Sequence, residues 1–245
     1  MKNKRRTSRG RKTTFVLLAL AVIMLLGSAV GSTRAALTYY SENYTAEIKI
    51  NQIGVSLLEN DQVVSSRDYE KDKWNETSGA LLQNMLGGDE KLTLGKRYDE
   101  TLAVKNSGDI DQYVRVRIYK YWTKRGGSVK ETSLSPDLIK LDLVNEGQWI
   151  NPNPGAENKE CTELYYKGIL GAGETSVNFA DGISIDGKLA AEVEVKQEGN
   201  IITTTYKYDG VEFHVNVEVD AVQTHNAQDA IRSAWGVDAA ALGML

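Results

Sequence analysis

The chain has 245 residues, a formal net charge of −4, 41% hydrophobic and 25% charged residues, a composition that excludes a disordered or low-complexity protein and leaves ample chain for a core. The single cysteine, Cys161, excludes an internal disulfide framework. Residues 1–35 hold eight of the 29 basic side chains and no acidic one, so the remainder carries 21 basic against 33 acidic residues, near −12, which argues against nucleic acid as a partner.

The first predicted element is a leader. A basic cluster from Lys2 to Lys12 is followed by the apolar run "FVLLALAVIMLLGSAV" (15–30) and by small residues that put Thr33 and Ala35 at −3 and −1, so cleavage is expected between Ala35 and Ala36. Arg5-Arg6 lacks the apolar residue that should follow closely in a twin-arginine signal. The alternative is an uncleaved anchor, and in both cases residues 36–245 are exported. The C-terminal "GVDAAALGML" is too short to span a bilayer, so contact with the membrane is expected only through the signal segment before cleavage. The expected organisation is therefore 1–35 signal peptide and 36–245 a single β-sandwich domain.

Beyond the leader, short alternating segments separated by Gly, Asn and Asp clusters predict an all-β, antiparallel fold. In "TAEIKI", Ala46, Ile48 and Ile50 share a face with Tyr44 of the tyrosine-rich lead "LTYYSENY". The apolar parity shifts at Ile53, Val55 and Leu57, predicting a bulge near Asn51-Gln52. "SGALLQNMLGG" (78–88) predicts a few helical turns ending at Gly87-Gly88. Strands are expected near 98–105 and 112–122, with Val114, Val116 and Ile118 inward and Arg115, Arg117, Tyr119 and Tyr121 forming an outward stripe. That stripe could stack on sugars or bind acidic polymer, or else be a solvated sheet face with its long side chains laid over their neighbours.

Ser135 and Pro136 predict a short helix start, and the Gly-rich "GILGAGETS" (168–176) a hairpin connection. A strand over Leu189, Ala191, Val193 and Val195 should precede a turn at 198–200. Asp209-Gly210 predicts a tight hairpin with Tyr208 opposite Val211, Tyr206 opposite Phe213, Thr204 opposite Val215 and Ile202 opposite Val217. "NAQDAIRSAWG" predicts a last helix capped by Asn226, ended by Gly236, with Ala227, Ile231, Ala234 and Trp235 on one face.

Residues that carry chemistry are sparse. The only histidines are His214 and His225, no H-E-x-x-H occurs, and the acidic loops 107–112 and 179–187 lack calcium-loop spacing. Phosphate-loop, dinucleotide and nucleophile-elbow patterns are missing, and Cys161 sits in a strand-like run where a small buried residue is the plainer reading. No catalytic residue, metal ligand or cofactor is expected. Sequons at Asn43 and Asn75 matter only in a secretory system that glycosylates them.

The leader, "ALTYYSENYTAEI", "LAVKNSGDIDQYVRVRIYKYW", "LYYKGILGAGETS" and "VEVDAVQTHNAQDAIRSAWG" together resemble the exported proteins of Gram-positive bacteria that depend on the SipW-type signal peptidase, the group of TasA biofilm-matrix fibre proteins and camelysin. The resemblance implies a jelly-roll-like β-sandwich with a few short helices, processing by that peptidase, and fibre assembly in which the mature N-terminal strand is donated to a neighbour. Camelysin-like relatives have been classed as metallopeptidases, but the zinc-binding helix this would need is missing here. The expected protein is thus a secreted or surface-held structural component of an extracellular matrix, pairing with itself or a homologous fibre protein. Two alternatives stand beside it. One is a carbohydrate-binding or adhesion module that takes matrix polysaccharide on the 115–121 stripe and Trp149. The other is a camelysin-like hydrolase.

Overall fold

The strands form where residues alternate, and the first of them stops where the backbone takes positive φ. Asn60 and Asp61, both left-handed at φ 50° and 63°, close the tight turn between β1 (Gly54–Glu59) and β2 (Gln62–Glu70), as a two-residue hairpin loop requires. The computed structural model describes residues 14–22, 52–70, 72–157, 160–198 and 201–245. The chain divides into two units, 1–49 and 50–245. Within the first, residues 14–22 form helix α1, with Phe15, Leu17 and Leu18 exposed. No helix among the described residues is long and apolar enough to cross a membrane. The cleavage site Ala35/Ala36, the strand segment Tyr44, Ala46, Ile48 and Ile50, and Asn51 of the expected bulge lie outside the described residues.

The second unit is an antiparallel β-sandwich. After β3 (Lys73–Thr77) come β4 (Arg97–Asn106), β5 (Gln112–Lys124), β6 (Ile139–Leu143), β7 (Trp149–Ile150), β8 (Cys161–Tyr166) and β9 (Ala180–Ile185). Then follow β10 (Val193–Glu198), β11 (Ile201–Tyr206), β12 (Val211–Gln223) and helix α2 (Ala227–Trp235). One sheet has the order β3-β2-β1-β4-β9-β6 and the other β12-β5-β8-β7, with β10-β11 a separate two-stranded ribbon. The chain crosses between sheets from β4 to β5, β5 to β6, β6 to β7 and β8 to β9, the interlaced order of a jelly-roll-like sandwich.

The inner faces meet in one core. Val114, Val116 and Ile118 point into it as expected, opposite Leu102, Val104, Ile139, Phe179 and Ile183. Each such side chain contributes about 1.5–3 kcal/mol on burial, so the fold can stand without a disulfide. A smaller cluster lies outside the second sheet, where Ile231 and Trp235 of α2 cover Tyr113, Tyr165 and Val222. Gly236, left-handed at φ 72°, ends α2 as predicted, its N–H bonding Arg232 O at 3.0 Å.

Several expectations are corrected. Segment 78–88 makes turns and no helix: Leu82 is left-handed at φ 64°, which breaks a helical run, and its N–H bonds the Glu59 carboxylate at 2.8 Å. Asn226 occupies the N-cap position of α2 but at φ 54°, so its side chain makes no capping bond, and Ala234 lies exposed. Residues 187–191 form a 3-10 helix capped by Asp186, burying Leu189, so the following strand begins only at Val193. The 168–176 segment joins β8 and β9 in different sheets and is a crossover, not a hairpin connection.

The largest correction concerns Asp209-Gly210. Only Gly210 takes positive φ, so the turn closed by Val211 N and Tyr208 O (3.3 Å) splays its arms, and β11 and β12 do not pair. β11 pairs with β10, Tyr206 opposite Val193 and Thr204 opposite Val195, while β12 pairs along all thirteen residues with β5, Phe213 opposite Trp122 and Val217 opposite Ile118.

Candidate assembly cleft

Because β12 takes β5 as its partner, its other edge is open: among the described residues it has a hydrogen-bonded neighbour on one side only. In an antiparallel pair, residues alternate between exchanging backbone bonds with the partner and turning them away. Arg125 N bonds Gly210 O at 2.8 Å, continuing the β5–β12 register by one pair, so even-numbered residues of β12 bond β5. Phe213, Val215, Val217 and Val219 therefore turn both N–H and C=O to the open side. The same odd-numbered residues carry the apolar face that packs on the core.

Beside this edge lies a cavity of about 510 Å³. Its walls are Leu57 of β1, Ser65 of β2, Leu81, Leu82 and Met85 of the 78–86 loop, and Phe213, Val215 and Val217. Leu82 holds its costly left-handed conformation through Glu59, whose carboxyl is pushed up by burial and by Glu100, against the opposing bond from Leu82 N–H. Further along the same edge a second cavity of about 200 Å³ is bounded by Ile53 and Gly54, by Val219 and Ala221, and by two arginine–tryptophan pairs. Arg67 Cζ sits 4.5 Å from the Trp74 ring centre and Arg115 Cζ 5.3 Å from that of Trp235. From Phe213 to Ala221 the edge runs about 27 Å at about 3.4 Å per residue.

The outward face of the same sheet holds the predicted stripe, and its charges are matched across strands. Arg115, only 8% exposed, gives Nε and Nη2 to Asp220 Oδ2 at 3.0 and 2.8 Å. Arg117 reaches Glu218 (2.8 Å) and Asp220 (3.2 Å), and donates to Tyr119 OH at 3.2 Å. Burial works against the Arg117 charge, but Asp220 and Glu218 outweigh it and raise its proton affinity. Tyr121 stacks on His214 with ring centres 5.0 Å apart, and His214 Nε2 lies 2.8 Å from Thr123 Oγ1. The stripe is thus a row of arginines already holding carboxylates, with Tyr119 and Tyr121 half-buried among them. Trp149 is core, 2% exposed, its indole N–H donating to Val177 O at 2.8 Å.

The residues weighed for chemistry do not converge. His225 is exposed in the loop before α2. Cys161 is half-buried beside Tyr119, and burial pushes its thiol up, away from the reactive thiolate. Among the described residues no group of three or more His, Cys, Asp or Glu side chains is arranged to hold a metal ion. Asp99, Asp142 and Asp181 surround the Arg97 guanidinium on the outer face of the six-stranded sheet.

Fold and cleft together define an antiparallel β-sandwich whose smaller sheet ends in a long, unpaired strand beside a groove of mixed lining, leucines and valines with Ser65, Ser78 and Asn216 among them. No protein-family model, curated protein or solved structure matches the chain. The cleft escaped sequence reasoning because pairing β12 with β11 had used up its edge. The available signal was length: thirteen alternating residues, 211–223, outrun the six of 201–206.

Proposed function

We propose that the protein is a secreted, non-catalytic structural component of the extracellular matrix that assembles into fibres by strand donation. A SipW-type signal peptidase frees the N-terminus at Ala36, and the segment bearing Tyr44, Ala46, Ile48 and Ile50 adds to the open edge of β12 in another subunit. The observation that carries this reading is the edge itself: four successive outward backbone pairs, at Phe213, Val215, Val217 and Val219, run alongside a groove walled by leucines, valines and Met85 with serines beside them. An added strand would satisfy the backbone through its main chain and fill the groove with alternate side chains. An exposed edge of this length is otherwise an aggregation hazard that sheets blunt with charge, proline or a covering segment. The partner is the protein itself or a homologous fibre subunit.

The test compares residues 36–245 with a chain beginning at Gln52, which retains every described strand. Light scattering and electron microscopy should show concentration-dependent polymers from the first and monomers from the second. If the longer chain also stays monomeric, alone and with homologous fibre proteins, the reading fails.

A further inference from the structure

Resting on that reading, the geometry points to the polarity and register of the donated strand. We infer that it runs antiparallel to β12, comes from a second copy of this chain, and is anchored by Tyr44 in the small cavity, against Trp74 and Arg67.

Two observations carry this, the first giving the direction and the second, from that direction, the origin. The first is chemical matching along the cleft. On the inner side its Phe213–Val217 stretch meets Leu57, Leu81, Leu82 and Met85 with Ser65 and Ser78 beside them, whereas its Val219–Ala221 stretch meets Trp74 with Arg67. The donor is likewise divided, with Ile48 and Ile50 at one end and a tyrosine-rich lead at the other. Only the antiparallel direction puts isoleucine against leucine and tyrosine against tryptophan. A strand residue opposite an odd-numbered residue of β12 shares its inward face and its backbone bonds, so the even-numbered donor residues take those places. With Ile50 opposite Val215, Ile48 faces Val217, Ala46 faces Val219 and Tyr44 faces Ala221. Ala221, with only a methyl side chain, leaves space there for its ring. A cavity of about 200 Å³ lies below the roughly 300 Å³ of small-molecule pockets. Trp74 and Arg67 offer an aromatic ring there edge or face contact and a cation over its face.

The second observation is where the chain enters its own sandwich. Gln52 is held by the β4–β5 turn: its N–H donates to Asp109 Oδ1 at 2.5 Å, and its carbonyl accepts from Asp109 N at 3.0 Å. Ile53 and Gly54, next in the chain, line the same small cavity as Val219 and Ala221. A subunit's own Ile50 opposite its own Val215 would lie about 17 Å from there, five residues along the strand. Two Cα steps span at most about 7.6 Å. The segment can reach its own cleft only in the parallel direction, and the antiparallel strand must come from another subunit.

Cysteine trapping tests both parts in the 36–245 chain carrying Cys161→Ser. Singly substituted chains are mixed before oxidation, so that only links between subunits form, and each is also run alone to subtract self-pairs. Tyr44→Cys with Ala221→Cys and Ile50→Cys with Val215→Cys should give linked dimers, and the crossed pairs, 44 with 215 and 50 with 221, should not. Links in the crossed pairs overturn the polarity. A chain carrying both Tyr44→Cys and Phe213→Cys that closes on itself as a monomer overturns the second-copy origin. Polymers that give no link at any of these pairs overturn the cleft as acceptor while leaving assembly standing, and absence of polymers sinks assembly too. Tyr44→Phe should polymerise as wild type, whereas Tyr44→Ala and Trp74→Ala should raise the threshold concentration tenfold or more with unchanged circular dichroism. Wild-type thresholds in both alanine variants overturn the tyrosine anchor.

Discussion

Arg115 and Arg97 are both multiply paired, and burial alone separates what each is worth. The Arg115 side chain is 10% exposed under Trp235 and makes the two shortest bonds to Asp220, so its removal loses packing and leaves that carboxylate to Arg117 alone. Arg115→Ala should lower stability by about 1–3 kcal/mol, whereas Arg97→Ala, in an exposed network, should leave the urea midpoint nearly unchanged. Urea denaturation of the two variants checks the contrast. Glu59 is the opposite case, a carboxyl raised by burial. Its ionised form is disfavoured in the fold, so its cost is present above the folded pKa and is relieved as pH falls. Glu59→Gln keeps an oxygen for Leu82 N–H and sheds that cost. Its urea midpoint at pH 7 should equal or exceed wild type, with the gain gone by about pH 3, below the carboxylate range.

Strands were legible and pairings were not, for a reason the elements themselves display. Alternation at Val114, Val116 and Ile118 reports which face is buried, and it does so whichever strand lies alongside. The 201–206 and 211–217 segments match as a hairpin on paper, yet the mates realised for β12, Arg115 to Asp220, Arg117 to Glu218 and Ile118 to Val217, lie about a hundred residues away in sequence. Asp209 staying out of the left-handed region decided between them, and a backbone angle is not written in an Asp-Gly pair. The parity of β12 supports a sharp prediction. Val217→Pro removes an N–H that faces the open edge, so the monomer should fold with a modest loss of melting temperature while polymerisation fails. Glu218→Pro removes an N–H bonded to β5 and should unfold the sheet. Thermal melts and light scattering on the pair would distinguish the edges, and similar melting temperatures would contradict the assigned parity.

For the molecule as a whole, the class of fold was readable from composition and periodicity, and the place where it is unfinished was not. One face of the cleft comes from β1, another from β12 and a third from the 78–86 loop, three segments that converge only after the two sheets have stacked. Charge acts at this scale too. Residues 36–245 carry about twelve excess negative charges, which oppose bringing copies together. Raising ionic strength from about 10 mM to about 150 mM shortens the screening length from about 30 to about 8 Å. The polymerisation threshold should fall over that range, and a threshold that rises instead would mark ion pairs across the interface as dominant.

The reciprocal bonds between Gln52 and Asp109 also have a mechanical meaning. In a polymer of the inferred register, one residue, Asn51, separates the clamp on Gln52 from the Ile50 seated in the neighbour. Such a joint has no slack. Tension along a fibre would pass from one sandwich to the next through the turn at 106–109, whose Gly108 leaves no room for a Cβ, which would meet Gln52 O at 2.5 Å and Gly54 N at 2.7 Å. The stiffness of the fibre would then be set by a turn of four residues rather than by the breadth of either sheet.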